Sequence, residues 1–181
     1  VITYEDTKLN EEKTTTNTTT NNKKALIAMS GGVDSSVAVY LMKKAGFDCM
    51  GVTMKLYDNQ DLPDTATKTC CSISDVADAR AVAQSFEIPY YVLNFSEDFD
   101  KEVIRRFVDT YIDGGTPNPC IECNRYMKFE KLMHRMYELG YDYVVTGHYA
   151  RVEKDEKTGR YLLKKGLDET KDQSYVLYNL T

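Results

Sequence analysis

The chain has 181 residues, 42% hydrophobic and 28% charged, with a formal net charge of −5. That length and balance fit one globular domain with a core plus an appendage. The acidic total argues against a generally basic nucleic-acid binder while leaving room for a local basic patch; no apolar run reaches the roughly 18 residues of a membrane span; and five cysteines, an odd number without scaffold spacing, point to a reducing compartment.

The chain starts at Val1 with an acidic, polar stretch (Glu5, Asp6, Glu11, Glu12). A processed chain or fragment without signal or transit peptide is therefore expected. Residues 14–22 are only Thr and Asn. Such a stretch has nothing apolar to bury, so 1–22 is expected to be a disordered tail.

From Lys23 on, strand and helix patterns alternate. Ala25–Met29 reads as a buried strand and Ser35–Lys44 as a helix ended by Gly46. Asp48–Tyr57 is strand-like, and Asn59–Thr69 is a loop around Pro63. A helix follows with a capping box of Ser72 and Asp75 and an apolar stripe of Val76, Ala79, Ala83 and Phe86. After Pro89 comes the strand YYVLNF. Phe99, Val103, Phe107 and Tyr111 mark the inner stripe of a helix that stops at Gly114-Gly115. TPNPCIECN is a turn that opens a helix after Pro119, striped by Phe129, Leu132, Met133, Met136 and Leu139. YDYVVTGHYAR is a strand running into a loop, VEKDEKTGRYLLKKG a charged hairpin, and 173–180 a short helix. Alternating strands and helices imply right-handed crossovers and an α/β fold with a doubly wound parallel sheet over 23–150.

The first informative motif is SGGVDSS, Ser30 to Ser36, at the carboxyl end of the first strand, where such sheets bind ligands. Gly31 and Gly32 permit close backbone approach, Ser30, Ser35 and Ser36 bring hydroxyls, and the N–H groups opening the next helix favour an anion. No Lys follows the glycines, so this is not a Walker A loop. The bland alternative is a tight turn capped by Asp34 or Ser35. The string resembles the PP-loop of the N-type ATP pyrophosphatases. That likeness implies a Rossmann-like, adenine nucleotide alpha hydrolase-like domain that splits ATP between the α and β phosphates and adenylates a substrate oxygen.

The second is Cys120-Ile-Glu-Cys123 at the start of a helix, where dipole and free N–H groups favour a thiolate. Cys123 is a candidate nucleophile. Alternatively the two sulfurs pair, or they form half of a metal site completed from Cys49, Cys70, Cys71, His134 or His148.

SGGVDSS, TPNPCIECNRYMKF, VVTGHYAR and LLKKGLDETKDQSYVLY occur in this order. Together they resemble the tRNA 2-thiouridylase family over about residues 24–180. The resemblance implies a sulfurtransferase that adenylates the 2-carbonyl of a wobble uridine with ATP and Mg²⁺, and then transfers sulfur from a cysteine persulfide. It places the ATP site on Ala28, Met29, Ser30, Gly31, Gly32, Val33, Asp34, Ser35, Met54 and Gly147. The nucleophile falls on Cys123 and the target-base contact on Asn118, Pro119 and Cys120, with Cys120 also catalytic. A tRNA contact falls on Lys171, Asp172 and Gln173. No resident metal is implied; an iron–sulfur cluster at Cys120 and Cys123 is an alternative, as are a different PP-loop adenylating enzyme and a non-catalytic ATP- or tRNA-binding module. His148 is expected to be structural.

Two departures matter. Many members carry Asp where this chain has Cys120, others have Cys, and the family's second, persulfide-holding cysteine lies downstream of the last motif, beyond Thr181. Residues 151–181 are thus expected to begin a tRNA-contacting extension that is cut short. Lys154, Lys157, Arg160, Lys164, Lys165 and Lys171 are expected either to form a basic surface towards the tRNA or to be a solvated hairpin. Expected partners are a tRNA with a wobble uridine and a persulfide donor protein, in the cytoplasm or an organelle matrix, with no membrane.

Overall fold

The computed structural model describes residues 2–3, 23–57 and 73–178. Its strands are β1 (Ile2–Thr3), β2 (Lys24–Ala28), β3 (Asp48–Lys55), β4 (Tyr90–Asn94) and β5 (Tyr143–Thr146), arranged in the order β1-β5-β2-β3-β4. The four long strands are parallel, with Ile27 opposite Gly51 on one side and Val145 on the other. β1 joins antiparallel at the β5 edge, Ile2 opposite Thr146. It lies within the stretch expected to be a tail; the rest of that stretch, the loop Asn59–Thr69, Ser72 of the capping box, and Cys70 and Cys71 lie outside the described residues.

Side chains alternate across a strand, so β2 feeds two cores. Ala25, Ile27 and Met29 pack against Ala38, Val39 and Met42 of α1 (Val33–Lys44) and Ala79 and Ala83 of α2 (Ile73–Ser85). Leu26 points the other way, with Val52 and Met54, onto two longer helices. These are α3, residues 96–112, and α4, residues 119–138, which contribute Val103, Met127, Leu132 and Met136. Fully burying each such side chain contributes about 1.5–3 kcal/mol. Helices therefore cover both sheet faces, as the alternation predicts.

Both long helices contain wide turns. In α3 the π-helical Asp100–Arg105 separates Ser96–Phe99 from Arg106–Ile112; in α4 the π-helical Cys123–Lys131 separates Pro119–Glu122 from Leu132–Glu138. This corrects the expected stripe on α3. Val103 is buried, but Tyr111 is 59% exposed, because a wide turn shifts the helical phase and rotates later positions off the core. On α4, Leu132 and Met136 are buried, while Leu139 lies past the helix end and is exposed.

The expected hairpin is present: β6 (Arg151–Lys154) pairs antiparallel with β7 (Tyr161–Lys164). A last helix, α5, spans Ser174–Leu177, shorter than the predicted 173–180, of which residues 179 and 180 lie outside the described ones.

Candidate functional site

β2 is followed in the sheet by β3 on one side and β5 on the other, so the chain reverses direction of winding between β2 and β5. Such a switch point leaves a crevice at the carboxyl ends of the strands. Here it opens into a cavity of about 770 Å³. The ends of β2, β3 and β5 and the first half of α4 all reach it.

The glycine loop forms one wall. Gly31 has φ +78°, and a Cβ there would lie 2.5 Å from the Asp75 carbonyl oxygen, so both conformation and space demand glycine. Gly32 caps α1 without a side-chain bond, which leaves the first N–H groups of a twelve-residue helix without intrahelical partners. The serines behave differently from expectation. Ser35 Oγ and Ser36 Oγ donate to the Gly32 carbonyl at 3.0 and 2.9 Å, and Ser30 N donates to Ser35 Oγ at 3.3 Å. Those two hydroxyls therefore brace the loop, which leaves its backbone N–H groups and the Ser30 hydroxyl as the donors it offers an anion. Val33 is 77% exposed and does not line the cavity.

Ala28, Met29, Ser30, Gly31, Gly32, Asp34, Ser35, Met54 and Gly147 all line the cavity. At Gly147 a Cβ would sit 2.9 Å from Ser35 N, so glycine also lets the end of β5 abut the start of α1. Thr53, not singled out by the sequence, anchors the loop: its Oγ1 donates to the Met29 carbonyl at 2.7 Å and accepts from the Tyr90 hydroxyl at 2.7 Å.

The cysteines enter from α4. Asn118 caps this helix, its Oδ1 accepting from Cys120 N at 3.1 Å. Cys120 is exposed, Cys123 is half-buried, and both line the cavity with Pro119. Asn118 instead lines an adjoining cavity of about 640 Å³ that shares Pro119. Asn124, buried and unforeseen, donates from Nδ2 to the Cys120 carbonyl at 2.8 Å and holds the first turn into the wide one. Cys120 and Cys123 have no third Cys, His, Asp or Glu grouped with them for a metal among the described residues. Cys49 packs in the opposite core, and burial pushes its thiol up to about 11.

His148 and Lys128 complete the wall. Thr146 Oγ1 lies 2.8 Å from His148 Nδ1, and Lys128 Nζ 3.5 Å from Nε2. An ammonium only donates, which assigns the imidazole proton to Nδ1. Burial, then the Lys128 charge, push His148 down to about 4, so the ring is neutral near pH 7.

The last motif is divided. Gln173 reaches the cavity; Lys171 and Asp172 do not. The Asp172 carboxylate accepts from Gly166 N, Ser174 N and Ser174 Oγ, and these bonds pull it below its ordinary range. Lys171 Nζ lies 5.7 Å above the Tyr149 ring. In the hairpin, Lys164 pairs with Glu153.

A doubly wound parallel sheet with a glycine loop at its switch point is a Rossmann-like α/β architecture. The chain belongs to the tRNA methyl transferase HUP domain family, whose model matches residues 23–181. It is 57% identical over 156 residues to a tRNA-specific 2-thiouridylase MnmA of Clostridioides difficile (strain 630), covering 86% of this chain and 43% of that protein. To the MnmA of Clostridium perfringens (strain 13 / Type A) it is 54% identical with the same coverage. The chain thus spans less than half the length of these curated relatives. Among solved structures, an NMN synthetase from Francisella tularensis aligns at 18% identity and a TM-score of 0.40, covering 67% of this chain and 43% of that one, too distant a likeness to argue from.

Proposed function

We propose that this chain is the ATP-activating, cysteine-bearing part of a tRNA 2-thiouridylase. The observation that carries the reading is one cavity shared by the glycine loop, the ends of β3 and β5, and the thiol-bearing residues Cys120 and Cys123. A nucleotide and a second reactant can meet there. The relatives' printed names supply the reactant: a uridine of tRNA.

In this reading the first N–H groups of α1 hold the phosphates, and Met54 and Ala28 give the adenosine an apolar wall. Mg²⁺, when bound with the nucleotide, would neutralise phosphate charge; Asp34 and Asp75 are the acidic residues that line the cavity. The uracil 2-oxygen forms a bond to the α-phosphorus as the bond to the bridging oxygen breaks. The electron pair leaves with pyrophosphate, and the N3 proton passes to water. The terminal sulfur of a persulfide, carried by a second cysteine outside this chain or by a donor protein, then adds at C2. The C2–O bond breaks and AMP leaves with that oxygen. The Cys123 thiolate attacks the carrier sulfur of the resulting mixed disulfide, freeing the 2-thiolate and leaving a protein disulfide for an external thiol to reduce. With thiol in place of Asp, Cys120 acts here as a wall of the base site.

The test is the product. The full-length protein, given tRNA, ATP, Mg²⁺ and a persulfide donor, is expected to yield 2-thiouridine in nuclease digests, and Cys123→Ser is expected to abolish it. Wild-type protein that makes none under these conditions overturns the reading.

A further inference from the structure

The glycine loop lacks a lysine, yet the cavity holds one from another element. Lys128 projects from the wide turn of α4 onto the cavity wall. Among the described residues it makes no ion pair, and its one polar neighbour is His148 Nε2 at 3.5 Å. The carboxylates on the same wall do not neutralise it: Asp34 accepts from the Tyr149 hydroxyl, and neither Asp34 nor Asp75 is paired with Lys128. The imidazole that steadies the ammonium is itself neutral, 7% exposed, and fixed from behind by Thr146. A half-buried cation is thus positioned by an uncharged partner, and its charge is left to the cavity. The α1 N-terminus faces the same space and favours anions independently.

We propose that Lys128 binds the β and γ phosphates of the nucleotide and stabilises pyrophosphate as it departs, with Thr146 and His148 as the pair that positions it. The inference rests on the nucleotide reading above. When the bond between the α-phosphorus and the bridging oxygen breaks, negative charge grows on the pyrophosphate oxygens. A fixed ammonium donating to them lowers the barrier and keeps its own proton throughout. The role is electrostatic and charge-assisted, so arginine retains part of it and a neutral side chain does not.

The experiment compares ATP and AMP binding, by calorimetry, to the full-length protein and its Lys128→Met and Lys128→Arg variants. AMP lacks the groups that Lys128 meets. Lys128→Met is expected to weaken ATP binding by at least about tenfold, leave AMP binding within about twofold, and slow pyrophosphate release; Lys128→Arg recovers part of each loss. His148→Phe is expected to show a smaller loss in the same direction. Should Lys128→Met fail to fold, Lys128→Gln makes the same comparison. If ATP and AMP weaken equally in the variant, or neither weakens, Lys128 has only a structural part and the inference falls while the nucleotide reading stands. If wild-type protein binds neither ATP nor AMP, both fall.

Discussion

The Tyr149 hydroxyl donates a 2.6 Å hydrogen bond to Asp34 Oδ1, joining residues 115 positions apart. Tyr149 is tied in turn to Gln173 in both directions: its N–H donates to Gln173 Oε1 at 3.0 Å, and its carbonyl accepts from Gln173 N at 2.9 Å. Two motifs that the sequence separates, the glycine loop and the segment expected to meet tRNA, are therefore one hydrogen-bonded unit. The nearby carboxylate pushes the Tyr149 phenol above its ordinary range, so it stays protonated and remains a donor at neutral pH.

Tyr149→Phe removes this donor and little else. Stability is expected to change little, because the bond is solvent-exposed. The ATP KM in pyrophosphate release is expected to rise several-fold in the presence of tRNA, because the loop loses its tie to the segment carrying Gln173. Denaturant unfolding and steady-state kinetics check the two halves; an unchanged KM shows that the tie has no part in coupling.

Glycine at 31 is demanded by conformation and by space together. Gly31→Ala forces a Cβ against the Asp75 backbone at a positive φ, and a cost of roughly 1–3 kcal/mol is expected, with loss of ATP binding. Gly46→Ala, also at positive φ but with nothing within 4 Å, is expected to cost about 1 kcal/mol and leave ATP binding intact. Equal effects of the two on ATP binding would contradict the cradle.

His148 gives a pH signature. Its folded-state value, about 4, lies below the ordinary 6.5, so between these values the unfolded chain takes up a proton that the folded chain refuses. The contribution is fully present above about pH 6.5, is lost as pH falls toward 4, and is flat below. Its size is on the order of 3 kcal/mol at most. Denaturant titrations from pH 4 to 7 should show a shallower acid loss in His148→Phe than in wild type; identical slopes would refute the assignment.

Thiol reactivity should follow location. Cys120 is exposed, whereas Cys49 is buried with its thiol pushed up to about 11. Iodoacetamide at pH 7.5 is expected to label Cys120 at least about tenfold faster than Cys49, as read by peptide mass spectrometry. Addition of ATP is expected to slow labelling at Cys123, which shares its cavity with the glycine loop.

Local patterns made much of this molecule legible. The apolar run Ala25–Met29 leading into Ser30–Ser36 announces a buried strand and a phosphate-type turn, and the structure puts both at the switch point. The Asn118–Pro119 helix start and the hairpin around Gly159 are equally local and stand where their sequences imply. What was hidden is long-range or phase-dependent. A π turn is written in the same residues as an α turn, so the exposure of Tyr111 and the placing of Lys128 and Asn124 on the cavity wall cannot be read from a 3.6-residue stripe. The serine hydroxyls could be read from the sequence as donors to a ligand, and only geometry shows that the Gly32 carbonyl takes those of Ser35 and Ser36. Tyr149 and Asp34 carry no signal of their pairing across the chain.

The most direct measurement is the fate of ATP in the presence and absence of tRNA. With full-length protein, Mg²⁺, a persulfide donor and unmodified tRNA bearing a wobble uridine, AMP and pyrophosphate are expected in equal amounts. Release is expected to fall to background without the tRNA and to persist for a first turnover in Cys123→Ser. Production of ADP and phosphate, or cleavage indifferent to tRNA, would contradict the account.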